Sequence, residues 1–210
     1  MNYQLLLDRK TEDIKKLDKK PTLLLHCCCA PCSSYVLEYL SEFFEITAYF
    51  YNPNIFPKEE YEYRKAELIR LIEKLPEAKS TKILSEEYDE APFLELAKGK
   101  EDLPEGRARC YLCYKLRLFE CAKKAREKGY NFFCTTLSIS PHKNAEWLNE
   151  LGKEASEKYG VEYLFSDFKK RNGYKRSIEL SKKYSLYRQA FCGCKFSKLQ
   201  YEKRENKVKA

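Results

Sequence analysis

Glycine is scarce in this chain, with seven among 210 residues. None falls in "HCCCAPCSS" (26–34), which directly follows the first apolar run. A nucleotide-binding α/β protein needs glycines in that loop so that its backbone can approach a phosphate, so a phosphate cradle is not expected there. Gly/Ser linkers, low-complexity stretches and internal repeats are also missing. With no boundary at which to divide the chain, the expectation is a single α/β domain over 1–210, with a core over about 20–197 and a basic tail at 198–210. No run of about 18 apolar residues occurs, which excludes an obvious membrane-spanning helix. The first residues, "MNYQLLLDRKTEDIKK", have neither the long apolar stretch nor the small-residue cleavage site of a secretory signal. A cytoplasmic location without membrane association is therefore expected.

Cysteine is abundant, at ten residues. In a reducing compartment ten thiols are poorly suited to a structural disulfide framework, so metal binding or redox chemistry is the leading reading. Forty Lys and Arg against 32 Asp and Glu give a net charge of +8, which permits an anionic partner without demanding one. The excess concentrates in "KKRNGYKR" (169–176), with five basic residues and no acidic one, and in "KFSKLQYEKRENKVKA" (195–210), with six basic against two acidic.

A hydrophobic content of 43% allows a sizeable core. Five β-branched or aromatic runs, at 22–27, 45–51, 81–88, 131–137 and 161–167, alternate with segments of helical spacing. That alternation predicts a Rossmann-like, parallel five-stranded sheet with helices on both faces. In such a sheet ligands sit beyond the carboxyl ends of the strands, and Cys27 to Cys32 would lie there.

Cys110 and Cys113 form a C-x-x-C at a helix start, beside Arg107 and Arg109, where the helix N-terminus and the arginines favour thiolates. Adjacent Cys28 and Cys29 can aim at the same centre, and two plus two makes the four thiolates of a [4Fe-4S] cluster. A four-thiolate zinc site is the inorganic alternative. Cys121 and Cys134 sit in apolar elements and read as small buried hydrophobes. Cys192-Gly-Cys194 could close a strained, easily reduced disulfide suited to a redox relay. His26, at a strand end, reads more readily as a structural donor than as a ligand. His142 and Lys143, after Pro141, could hold an anion at a helix start. Asn52 and Asn54 make a turn at the ligand edge. Asp89 offers a carboxylate there that could ligate a metal or shuttle a proton, with Asp167 as its competitor and helix capping as the plain role for both. Tyr174 and Tyr187, among basic residues, could stack on bases.

Taken in order, "HCCCAPCSS", "FYNPNI", "EEYD", "RCYLCYKLR", "TTLSISPHKN" and "SDFKKRNGYKRSIELSKKYSLYRQAFCGCKFS" resemble the QueH-type, cobalamin-independent epoxyqueuosine reductases from about Leu23 to Ser197. The resemblance implies a HUP-type α/β fold and the last step of queuosine biosynthesis. That step is the two-electron removal of the epoxide oxygen from epoxyqueuosine at the wobble position of tRNA with a GUN anticodon. It further implies a [4Fe-4S] cluster on Cys28, Cys29, Cys110 and Cys113, with an adjacent mononuclear iron held partly by Asp89. Cys192 and Cys194 would be a redox-active pair that cycles through a disulfide bond, and an external donor such as ferredoxin or flavodoxin would supply electrons. Lys143, Lys169, Lys170, Arg171, Lys175, Arg176 and Arg188 are then candidates for anticodon-loop phosphates. Two other readings stay open: an ATP-dependent tRNA-modifying enzyme of the same fold, and a zinc-stabilised RNA-binding module.

Overall fold

The computed structural model describes the backbone of residues 1–209 and the side chains of residues 1–206; residue 210, the end of the expected basic tail, lies outside the described residues. Five parallel strands, β1 (Thr22–His26), β2 (Glu45–Phe50), β3 (Lys82–Ser85), β4 (Phe132–Thr135) and β5 (Glu162–Tyr163), form one sheet in the order β3-β2-β1-β4-β5. Successive side chains of a strand point to opposite faces, so a strand buried on both reads as an unbroken apolar run. Leu23, Leu24 and Leu25 of β1 show this, each wholly buried and each contributing about 1.5–3 kcal/mol. Leu23 and Leu25 join Ala48 and Phe50 in one core, covered by α1 (Tyr3–Ile14), α2 (Ala30–Leu40) and α3 (Lys58–Lys74). Leu24 joins Tyr49 and Phe133 in a second core, covered by α5 (Ala108–Glu127) and α6 (Ala145–Tyr159). Helices thus cover both faces of the sheet, as the alternation of segments predicts.

The third and fifth strands are shorter than their sequence runs. After Tyr163 the Leu164 N–H still donates to the Phe133 carbonyl of β4 at 3.0 Å, and the chain then meets the Asn149 side chain of α6: Asn149 Nδ2 donates to the Ser166 carbonyl at 2.9 Å and its Oδ1 accepts from the Ser166 N–H at 2.9 Å. The N-terminal helix α1 is tied into the fold by Leu7 and Ile14, both buried in the first core. A short α4 (Ala91–Ala97) packs on α5, α7 (Gly173–Lys183) packs on α2, and α8 (Lys195–Lys209) ends the described chain. Gly173 permits the α2–α7 contact, because a Cβ there would lie 2.1 Å from the Phe168 carbonyl oxygen and 2.5 Å from the Tyr35 ring.

From β1 the chain runs outward through β2 and β3, then crosses back to place β4 and β5 on the other side. Strand order therefore reverses between β1 and β4, and the crevice beyond their carboxyl ends is where such a sheet places its ligand. It is bordered by the loop after His26 and by a 3-10 turn at Thr136–Ile139. No helix of the described residues is long and apolar enough to cross a membrane.

Candidate functional site

The last residue of β1, His26, fixes the floor of this crevice. Its ring is fully buried between Thr135 Oγ1 (2.9 Å from Nδ1) and the Tyr51 carbonyl (3.1 Å from Nε2). Burial, aided by the Arg117 charge, pulls the imidazole down to about 4, so it is neutral near pH 7 and structural. Three thiols follow. Cys28 lies in the loop, Cys29 is the N-cap of α2 and Cys32 sits within its first turn, Pro31 fixing the backbone between them. Their sulfurs all lie within 4.8 Å of one another, with Cys28 and Cys29 at 3.7 Å. The thiols of Cys29 and Cys32, donating to the Cys28 sulfur, hold Cys28 well below the ordinary thiol range. The same interaction pushes Cys29 up to about 12 and Cys32 well above its usual value. One thiolate shared by two thiols at the N-terminus of a helix is a ready cation site, since a metal can displace the two shared protons.

A second thiol group stands opposite. Cys110 and Cys113 occupy the first turns of α5, and Cys192 and Cys194 lie in the loop before and at the start of α8. All four line a small cavity of about 10 Å³ together with Arg109 and Arg117. Burial pushes Cys113 up to about 12 against the opposing pull of Arg117. The Cys194 sulfur accepts from the Ser197 N–H at 3.3 Å, whereas the Cys192 sulfur lies 3.0 Å from Lys143 Nζ. Arg109 shapes the preceding loop: its Nη1 donates to the carbonyls of Lys100, Glu101 and Leu103 at 2.6, 2.9 and 2.7 Å.

These placements correct two expectations about cofactors. The [4Fe-4S] cluster on Cys28, Cys29, Cys110 and Cys113, with a mononuclear iron beside it, is replaced by a compact three-thiol set, Cys28, Cys29 and Cys32. Folding brings Cys32 into register with the CC pair one helical turn on, and among the described residues no carboxylate or further cysteine completes that set. The donor set suits a single thiophilic ion. The disulfide between Cys192 and Cys194 is not formed either, since all ten cysteines are free and these two sulfurs are engaged by different partners.

Between the two thiol groups opens a pocket of about 300 Å³, into whose wall Cys28, Cys29, Cys32 and Cys192 project. Arg64, Arg117, Lys143, Arg188 and Arg204 line it against a single carboxylate, Glu105. Asn52, in the turn after β2, donates to the Cys27 carbonyl at 2.9 Å and faces Arg117, while Arg117 Nε donates to the Cys113 carbonyl at 3.2 Å. Arg64 and Arg117 are 3% and 2% exposed, and each keeps an Nη2 without a partner.

Other sequence-predicted residues fall elsewhere. Asp89 Oδ1 accepts from the Ala91 N–H at 2.9 Å at the start of α4, outside the pocket. Asp167 pairs with Lys169 at 2.9 Å. Arg171 is paired with Asp8, and Arg176 grips Glu38 with two hydrogen bonds of 2.9 and 2.7 Å. Lys143 is buried and paired with Glu105 at 3.0 Å. Lys170 and Lys175 are exposed, and Arg188 and Tyr174 reach the pocket rim.

Three members of the site escaped sequence reasoning, and each carried a signal. Cys29-Ala-Pro-Cys32 is itself a C-x-x-C at a helix start. Arg117 follows Cys110 and Cys113 at i+7 and i+4 on one face of α5. Arg64 falls on the Tyr61, Leu68, Leu71 stripe of α3.

A family model described as "Epoxyqueuosine reductase QueH" matches residues 23–200. Proteins of the same description are similar along most of their length. One from Streptococcus pyogenes is 40% identical over 94% of this chain and 78% of its own, and one from Staphylococcus epidermidis is 41% identical over 95% and 86%. A third, from Thermotoga maritima, is 35% identical over 89% of this chain and 95% of its own. With its thiol-lined crevice at the β1–β4 switch point as the candidate site, the chain thus belongs to the QueH family of epoxyqueuosine reductases.

Proposed function

We propose that this chain is an epoxyqueuosine reductase, an oxidoreductase that removes the epoxide oxygen from epoxyqueuosine in tRNA to give queuosine. The reaction consumes two electrons and two protons, breaks both C–O bonds of the ring, forms the C=C bond and releases water. Family membership supports the reading. The observation that carries it is the pocket of about 300 Å³ whose wall combines four thiols with five cationic side chains, room for the modified base beside soft donors and positive charge. The fold is read as HUP-type and the location as cytoplasmic. An external one-electron carrier of the ferredoxin or flavodoxin class supplies the electrons.

Cys28, Cys29 and Cys32 would hold one thiophilic metal ion. The fit rests on the three sulfurs lying within 4.8 Å of one another and on the lowered Cys28 thiol. An ion held by these three sulfurs, which line the pocket, would supply Lewis-acid chemistry to a substrate oxygen. The chain's own residues do the rest. His26 and Asn52 hold the loop that carries the thiols, Arg64 and Arg117 supply a fixed positive field for the oxygen as it gains charge, and Leu137 and Ile139 give the pocket an apolar side. Lys169, Lys170, Lys175 and Arg188 are read as contacts for the anticodon-loop phosphates.

The test is anaerobic turnover of tRNA carrying epoxyqueuosine with a reduced carrier, followed by nucleoside mass spectrometry. Loss of one oxygen from the modified nucleoside is expected. Cys32→Ala should lower metal content per chain and abolish turnover together, while full metal content in that variant would remove Cys32 from the ligand set.

A further inference from the structure

Among the thiols outside the three-sulfur set, Cys192 differs from the rest. Cys27, Cys121 and Cys134 are wholly buried, and Cys110, Cys113 and Cys194 are nearly so. Cys192 is partly exposed, lines the large pocket and has a buried ammonium at 3.0 Å. That ammonium is well fixed. Lys143 has a side chain only 8% exposed, pairs with Glu105 at 3.0 Å and lies over the Tyr114 ring. Burial by itself would pull Lys143 down, but the Cys192 sulfur, the Tyr114 hydroxyl and Glu105 hold it well above the ordinary lysine range. The sulfur is fixed as firmly: Arg64 Nη1 donates to the Cys192 carbonyl at 3.2 Å, and the Phe56 N–H donates to the Gly193 carbonyl at 2.9 Å. Gly193 makes the turn possible, with φ at +111° and room for no Cβ, which would fall 2.6 Å from Arg64 Nη1. A sulfur 3.0 Å from a buried ammonium, on the wall of a ligand-sized cavity, is placed to act as a nucleophile. Arg64 and Arg117, each with a buried Nη2 that lacks a partner, line the same pocket.

We infer that Cys192 is a covalent nucleophile toward an electrophilic carbon of the substrate, with Lys143 as the positioning residue that supplies its counter-charge. This rests on the epoxide-reduction reading. The Cys192 sulfur attacks one carbon of the epoxide, forming a C–S bond and breaking one C–O bond. The freed oxygen takes a proton from water and stays as a hydroxyl on the neighbouring carbon. Two electrons from the one-electron carrier then break the C–S bond and the remaining C–O bond. The C=C bond forms, the sulfur leaves as thiolate, and the hydroxyl departs with a second proton as water. The sum is the reduction written above, and Cys192 is regenerated.

The experiment uses the metal-loaded full chain and tRNA carrying epoxyqueuosine, first without an electron carrier, with acid quench and peptide mapping by mass spectrometry. A nucleoside adduct on Cys192 is expected, and adding reduced carrier should convert it to queuosine. Cys192→Ser should form no adduct and lose turnover about a thousandfold, with metal content and tRNA binding unchanged. Turnover by the wild type without an adduct during a single cycle overturns the inference, as does Cys192→Ser turnover within about tenfold of wild type. A wild type that cannot reduce the epoxide even with carrier overturns the functional reading instead. The nucleophile is tested separately with iodoacetamide. Cys192 should be the first of the seven thiols outside the three-sulfur set to be labelled, Lys143→Met should slow its labelling about tenfold, and Lys143→Arg should restore most of the rate. Labelling unaffected by Lys143→Met removes Lys143 from its role.

Discussion

His26 joins β1 to the thiol loop, and it does so as a neutral ring. Its folded value of about 4 lies below the ordinary 6.5, so between these values the unfolded chain binds the proton that the folded chain refuses. Stability is therefore fully present above about pH 6.5 and is lost as the pH falls toward 4. For the metal-free protein this amounts to about 2 kcal/mol between pH 7 and pH 5, to be read from urea midpoints at the two values. A midpoint that stays constant over that range would mean the ring is protonated in the fold. At this scale the sequence was legible for single chemistry-bearing types. His26 reads correctly as a structural donor, and Cys121 and Cys134 as buried hydrophobes. What it hid was partnership. Nothing in the order of residues tells that Lys143 meets Cys192, 49 positions away, or that Asp89 is occupied with the Ala91 N–H.

Elements were easier to read than their ends. The unbroken Leu23–Leu25 run and the helical stripe of α5 announce a doubly covered sheet and a helix packed on it. The two-residue β5 was not foreseeable, because beyond Leu164, which still donates to the Phe133 carbonyl, the chain is held at Ser166 by the Asn149 side chain of α6. The same helix carries a tight contact: a Cβ on Gly152 would lie 2.3 Å from the Tyr163 ring, which is itself wholly within the second core. Gly152→Ala favours the helix intrinsically but must displace that ring, so a net loss of about 1–3 kcal/mol is expected in a denaturation midpoint. A neutral or stabilising result would mean that Tyr163 has room to turn. Cofactor geometry also belongs to this scale. The resemblance draws its four thiolates from two elements, Cys28 and Cys29 with Cys110 and Cys113, whereas the α2 N-terminus brings Cys28, Cys29 and Cys32 together.

Across the whole molecule the net charge of +8 is spent unevenly. In the 169–176 run Arg171 and Arg176 are tied to Asp8 and Glu38, fastening α7 and its approach to α1 and α2, which leaves Lys170 and Lys175 exposed. Reversing both lysines to glutamate should weaken tRNA binding and reduce the slope of log affinity against log salt by about 1–2, given roughly 0.7 per phosphate on a single strand. Metal content should be unchanged, and an unaltered slope would move the RNA-binding surface elsewhere. By contrast, Arg176→Ala removes a partly buried pair and should lower stability more than RNA affinity. The basic excess was legible in the sequence, but its division into fasteners and free charge required the acidic partners, which lie more than a hundred positions away. Arg109 extends this reasoning to the pocket. Three carbonyls of the 100–103 segment converge on one Nη1, and Leu103 also accepts from Gln200 of α8 at 3.1 Å. Glu105, which steadies Lys143, lies two residues beyond. The posture of the reactive sulfur is thus inherited, through a short relay of backbone oxygens, from a guanidinium that never faces the substrate.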